Sequence, residues 1–564
     1  MSVPPTLTER VARAAAWNTL LFPARLIAGL AAGVLLFNVL TPGEYGVLAL
    51  LSGLAATIGL YADPGIERSL PRFVPEVERR GGRAAVARFM RQIVGVKLAI
   101  VLLCTLLLLL LRGPLVNSVL ANEQRTLVDR SAQVVLLQQQ NASADAQGRA
   151  TTAVEQQVQL VRLIAERGEL FLLAVAALVV FGALYDIAMQ FLTAYFKQRA
   201  WNVITIVVTL LQPLLIIAAL LAGWRLSGVL LGMAITPVIA VLLAARQALQ
   251  AGRALAPASG TAAPDATFAG RFTRFAAVTY VIQITTWFYD IQFVTFVLYG
   301  LGAPLTTVAL VAFAYKFAKD YLGYAYMPFS GVLTPLLARI KGRNDPAARA
   351  EAYQGMTRIF ALLLIPAGVG LVLLAPRMLE LLYPQYHETV ALIAVFVFFT
   401  FAESLLSVPH NLLMVEERYR PVLVARLAAM ASVPLLIVLL PWAGTLGAAF
   451  AVGVARVAAR LLTVRAVHRL FGLTVPWHFI GRCTAAALLG MAPLALKITF
   501  WPLPGDAADT TGKIAAALSL ILFAIVGSIG YLVALKLLGG LAEPERRRLL
   551  GLKLPFKKTL ARIL

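Results

Sequence analysis

The chain has 564 residues, 60% hydrophobic and 14% charged, with 50 Lys+Arg against 27 Asp+Glu for a net charge of +23. So much apolar sequence excludes a soluble globular protein of this size. The cations are spread over many short loops between apolar runs, so they argue for membrane orientation and contact with anionic lipid and against nucleic-acid binding.

The N-terminal stretch Met1 to Arg10 is polar and precedes many apolar runs, so no cleavable signal peptide is expected. Thr6 and Glu9 fit a capping box, which starts a short basic amphipathic helix within a cytoplasmic N-terminus at 1–14. Apolar spans follow at 15–40, 43–66, 89–111, 169–195, 203–223, 226–246, 275–299, 305–332, 357–375, 389–413, 422–441, 445–467, 481–500 and 513–537. Each is close to the roughly 20 residues a helix needs to cross the hydrocarbon layer. The expected fold class is an all-α polytopic membrane protein with about fourteen transmembrane helices.

The loops set the orientation. Arg68, Arg72, Arg79, Arg80, Arg83 and Arg88 fall in one set, with Lys197, Arg199, Arg246, Arg253, Arg339, Lys341, Arg343, Arg418, Arg420, Arg465 and Arg469. The alternate loops are short and nearly uncharged. This bias places both termini and the basic loops of a multi-pass protein on the cytoplasmic side, and the expected location is the cytoplasmic (inner) membrane.

Residues 112–168 break the pattern, being long, polar and rich in Gln and Ala. Val128, Ala132 and Val135 repeat at helical spacing, as do Val154, Val158 and Val161. They predict a helical hairpin on the extracytoplasmic side, turning within Asn141 to Arg149. Asn141-Ala-Ser is a glycosylation-type sequon. A linker at 247–274 precedes span seven, and a basic tail at 538–564, with Pro544 at a helix start, predicts an interfacial helix.

Two cysteines, Cys104 and Cys483, lie in or beside apolar spans without CxxC or CxxH company, and the four histidines are scattered. No metal, redox or other cofactor motif follows from them.

An internal repeat is visible. Pro213-Leu-Leu-Ile followed by Ala222-Gly223 recurs as Pro434-Leu-Leu-Ile followed by Ala443-Gly444, and Arg13-Ala-Ala-Ala resembles Arg274-Phe-Ala-Ala. The spacing predicts two six-span lobes, 15–246 and 275–468, in pseudo-two-fold relation about an axis along the membrane normal, with substrate between them. Spans thirteen and fourteen, 481–537, stand outside the repeat.

Six charges sit well inside apolar stretches: Arg25, Asp290, Lys316, Lys319, Asp320 and Glu403. Each costs about 3 kcal/mol on insertion scales, so such residues mark a polar path or pair with one another. Lys316, Lys319 and Asp320 share one helical face with Tyr315 nearby. Arg25, with Asn18, is the best candidate for holding an anion, because a guanidinium matches phosphate and stays charged. Asp290, Asp320 and Glu403 are candidates for charge balance or for a coupling Na+ or proton. Arg456, in span twelve, packs against Glu403 or lines the same path.

The second span carries a resemblance. Pro42-Gly-Glu-Tyr-Gly-Val-Leu, followed by Leu60-Tyr-Ala-Asp-Pro-Gly-Ile-Glu-Arg-Ser-Leu-Pro-Arg-Phe-Val-Pro-Glu76, resembles the opening of Wzx-type oligosaccharide flippases of the multidrug/oligosaccharidyl-lipid/polysaccharide exporter superfamily. The resemblance implies two lobes around a central cavity that opens alternately to each side. It implies an undecaprenyl-pyrophosphate-linked oligosaccharide as substrate, with no enzymatic step and no cofactor, in a monomer that works beside the polysaccharide polymerase machinery. Arg25 and Lys316 match the family's cationic cavity, and the two extra C-terminal spans resemble those of the related lipid II flippases. A single arginine in span one and the long 112–168 segment depart from that pattern. The alternatives are a multidrug exporter of the same superfamily and a polytopic glycosyltransferase or polymerase.

Overall fold

A computed structural model describes residues 26–140, 143–195, 198–253, 255, 267–341, 345–500 and 510–539. Helices account for nearly all of them, and no strand occurs among the described residues. In chain order they are α1 (Leu26–Val39), α2 (Pro42–Tyr61), α3 (Ile66–Leu110), α4 (Arg112–Gln139), α5 (Ala144–Ala194), α6 (Gln198–Leu221), α7 (Arg225–Arg253), α8 (Phe268–Trp287) and α9 (Ile291–Gly300). They continue as α10 (Leu305–Lys341), α11 (Pro346–Leu382), α12 (Val390–Leu405), α13 (Ser407–Val415), α14 (Tyr419–Ala429), α15 (Ser432–Phe471), α16 (Trp477–Phe500) and α17 (Thr510–Leu537). Among the described residues, ten segments are long and apolar enough to cross a membrane, or eleven when the bent pair α8–α9 is one span. The protein is an all-helical polytopic membrane protein.

Helix breaks set where the predicted spans merge or divide. Tyr419–Phe471 is one segment of 53 residues, yet it holds predicted spans eleven and twelve. Gly444, at φ +54 inside α15, folds that helix back into two arms between them. Gly82, at φ 60 and ψ −159, folds α3 in the same way. Only glycine enters that backbone region freely. Predicted span ten is divided, between α12 and α13 at Leu406. The N-terminal capping box, the linker residues 256–266, the sequon residue Asn141 and the tail beyond 539 lie outside the described residues.

The chain forms two compact units, Met1–Ala312 and Phe313–Leu564, and α10 runs from the first into the second. In the first unit, the α2–α3 corner shows how the motif at Leu60–Glu76 works. Asp63 accepts the amides of Ile66 at 3.1 Å and Glu67 at 3.4 Å, capping α3. Gly65 turns the chain at φ +76, and a Cβ there would meet the Ala276 carbonyl oxygen at 2.1 Å, so α8 approaches the bare backbone. Beyond the corner, Phe73 makes edge-on contacts with Phe268, Phe272 and Phe275. One buried core joins Ile66, Leu70 and Val74 to Ile93, Ile187 and Leu192; another joins Val101 and Leu108 to Leu172 and Val175.

The segment 112–168 is a helical hairpin. Its turn is shorter than expected, since α5 begins at Ala144 under a Ser143 cap and runs 51 residues without a break. Its inner face also differs from the expected one. Val128 and Val135 are exposed, and α4 turns Glu123, Arg130 and Leu137 inward instead. Polar pairing fixes the rotation of α4, and apolar spacing alone does not show it.

In the second unit, the core gathers Tyr353, Phe360 and Ile365 of α11, Val408 and Leu412 of α13, Cys483 and Met491 of α16, and Tyr531 and Leu535 of α17. The last two helices meet backbone to backbone. A Cβ on Gly490 would lie 2.4 Å from the Gly530 oxygen, the close approach that small residues permit between membrane helices.

Candidate functional site

Charged side chains collect in two places, one in each unit. In the second unit the face of α10 and the middle of α15 carry them. Lys316 pairs with Asp320 one turn on, both about half exposed. Lys319 lies over the Tyr315 ring at 5.5 Å, and Arg456 of α15 lies over the same ring at 5.2 Å. Arg456 also donates to the Tyr315 hydroxyl at 2.9 Å. Glu403 of α12 accepts from Arg460 at 2.9 Å and faces Arg456 at 3.5 Å. Lys319 is near enough to act on Glu403 electrostatically.

Four cations and two acids thus form one patch, with a surplus of two positive charges if all are ionised. A pair of arginines on one carboxylate keeps fixed geometry, because each fork can use one edge for Glu403 and leave other N–H groups for a ligand. Tyr315 is buried, and its ring lies within 5.5 Å of both cationic groups.

In the first unit, Lys97 is 1% exposed. Its ammonium lies 2.8 Å from Glu67 and 3.5 Å from Asp63, and Asp186 of α5 is close enough to act on the group. Gln283 of α8 donates to Asp63 at 3.4 Å. The fold-back at Gly82 makes this possible by laying the second arm of α3 against the first. A buried ammonium needs such partners, since its solvation is lost.

No protein-family model matches the chain, and no curated protein sequence does. Solved structures do. The inward-closed lipid II flippase MurJ superposes with a TM-score of 0.56 at 14% identity, covering 91% of this chain and 98% of that one. The chain shares the MurJ fold. A point mutant of the Vibrio cholerae MATE transporter VcmN matches at a TM-score of 0.50 and 13% identity, covering 81% and 98%. The architecture is therefore one found in both flippases and MATE transporters.

Within this fold the predicted residues separate. Lys316, Lys319, Asp320, Tyr315 and Glu403 come together with Arg456. Glu403, which sequence position alone leaves on the periphery of its lobe, is tied into the patch by two arginines. Asp290 belongs to the first unit. It sits at the break between α8 and α9, where the axis bends by 53°, and its carboxylate accepts the Ile291 amide at 2.6 Å. Its evident work is to end one helix and start the next. Arg25 and Asn18 lie outside the described residues.

Arg460 is not among the sequence candidates, because it lies toward the end of its span, where a basic residue ordinarily signals orientation. Lys97 and Asp186 fall inside predicted spans 89–111 and 169–195 and meet the same criterion as the other intramembrane charges; that signal is sufficient to find them.

Proposed function

We propose that this chain is a flippase of the multidrug/oligosaccharidyl-lipid/polysaccharide exporter superfamily. It would move an undecaprenyl-pyrophosphate-linked oligosaccharide from the inner to the outer leaflet by alternating access. The observation that carries the reading is the cationic surplus on Lys316, Lys319, Arg456 and Arg460 within a fold shared with a lipid II flippase. A lipid diphosphate is anionic at the boundary between an apolar tail and a polar glycan. Guanidinium forks on a protein wall match that group in charge and geometry. Arg25 and Asn18 of the first span are the first lobe's candidates for the same head group. Asp320 and Glu403 hold the cations apart before the lipid arrives and take them back when it leaves, so binding stays reversible. The chemistry is translocation, and no bond of the substrate needs to break.

The test uses purified protein in liposomes and a fluorescent undecaprenyl-diphosphate oligosaccharide, with head-group arrival outside read by a membrane-impermeant quencher. Arg456→Ala and Lys319→Ala should each slow flipping by about tenfold or more, the value of one charge-assisted hydrogen bond. Wild-type rates in both variants would remove the diphosphate assignment. Efflux of cationic dyes with no movement of the lipid would favour a multidrug exporter.

A further inference from the structure

The hairpin α4–α5 has contacts that neither the fold nor the cationic patch requires. Its inner face reaches the end of α9 and the turn into α10 through four polar bonds. Glu123, fully buried, accepts the Leu305 amide at 3.1 Å. Arg130 donates to the Thr306 hydroxyl at 2.9 Å, and its other nitrogen reaches back to the Ala153 carbonyl of α5 at 3.3 Å. Asn122 donates to the Ala303 carbonyl at 3.4 Å, and the Tyr299 hydroxyl donates to the Val119 carbonyl at 3.3 Å. Gln157 of α5 holds the Glu123 carboxylate in place at 2.9 Å.

The first turn of α10 shows why this matters. The local sequence is Gly302-Ala303-Pro304-Leu305, with no Ser, Thr, Asp or Asn at the cap position. Pro304, before the first helical residue, has no side-chain acceptor, so the Leu305 amide lacks a local side-chain cap. Glu123, 182 residues earlier, supplies it. A carboxylate is well suited to the positive end of a helix. The same helix continues to Lys316, Lys319 and Asp320.

Between α4 and the α9–α10 turn these bonds are polar; the apolar anchor of the hairpin lies on α5, where Leu160 and Ile164 are buried and Leu160 packs against Gly43 of α2. Outside a membrane, such bonds exchange with water at small net cost, whereas a buried apolar seam does not open so readily. The α4 arm is otherwise largely exposed, with Val128, Val135 and Leu136 facing outward, so it is the arm free to release.

We propose that the α4–α5 hairpin is a reversible latch on the outer end of α10: docked, it caps the helix and holds the path beside Lys316 closed on the side that the loop charges assign to the exterior; released, it lets that end open. The proposal rests on the transporter reading for its purpose, but its test does not require a transported substrate.

The full chain in lipid nanodiscs serves for the experiment, with Cys104→Ser and Cys483→Ser in the background. Hydrogen–deuterium exchange at the Leu305, Thr306 and Thr307 amides should rise about tenfold in Glu123→Ala, the value of a lost helix cap. The conservative Glu123→Gln should stay near wild type, since its amide oxygen still accepts. Exchange unchanged in Glu123→Ala would overturn the cap. A second arm uses Asn122→Cys with Ala303→Cys to tie the hairpin to the turn, in a chain that also carries Lys316→Cys. Labelling by an external, membrane-impermeant maleimide is read at position 316 by peptide mass spectrometry. It should be several-fold less in the oxidised protein than in the reduced one, with recovery on reduction. Equal labelling in both states would overturn the latch. An intact latch in a protein that fails to flip lipid would count against the proposed substrate alone.

Discussion

Replacing Glu403 by glutamine tests the cationic patch most directly. The carboxylate serves two arginines at 2.9 and 3.5 Å, with side chains 11% to 23% exposed. Removing one partner of a buried ion pair costs about 3–5 kcal/mol. The partial exposure here places Glu403→Gln near the lower end, about 3 kcal/mol. Arg460→Met should cost less, about 1–2 kcal/mol, because Glu403 keeps Arg456 and loses only its shorter bond. The double variant should then fall short of the sum by at least about 1 kcal/mol, since the residues share one network. Equilibrium unfolding in detergent, at fixed detergent and salt, measures all three values. Additivity to within about 0.5 kcal/mol would mean that the three side chains do not act together, and the patch would not be a unit.

Two further outcomes follow from the first unit. Lys97→Met should destabilise strongly, by about 3–5 kcal/mol, by leaving Asp63 and Glu67 buried against each other. Adding Glu67→Gln should return part of that loss; a stability series in which Glu67→Gln deepens the loss would refute the pairing. The hairpin should respond to pH. Burial pushes the Glu123 carboxyl above its ordinary value near 4.5, against the pull of Gln157, the Leu305 amide and Arg130. The docked hairpin therefore binds the Glu123 proton more tightly than the released one. Docking is strongest at acidic pH, weakens as pH rises from about 4.5 through the raised value, and levels off above it. Amide protection at Leu305 across that range, corrected for intrinsic exchange, should show this slope in the wild type and lose it in Glu123→Gln.

Much of this architecture is readable residue by residue. Long apolar runs can only be helices in lipid, because each backbone group must find its partner within the segment, and the described part of the predicted spans is largely helical, with internal breaks at Ala62–Gly65, Phe288–Asp290, Leu406 and Met430–Ala431. Asp63-Pro64-Gly65 reads as a break in sequence, and in the fold it is one. The face shared by Lys316, Lys319 and Asp320 follows from spacing of three and four residues, and the Lys316–Asp320 pair agrees with it.

Other features depend on residues far apart. Glu403 and Arg460 are separated by 57 positions, and no local pattern links them. Lys97 meets Glu67 only because Gly82 reverses the helix, a backbone choice invisible to hydropathy. The rotation of α4 escapes the pattern for a related reason: Val128 and Val135 have the right spacing for a buried stripe, yet Glu123 and Arg130 have partners to reach and take the inner face. Composition and local periodicity were therefore enough to specify an all-helical membrane protein and the cost of each intramembrane charge. Which charges meet was left to the folded chain, because a long-range ion pair is set by helix rotation and by a few glycine breaks, to which a one-dimensional pattern is blind.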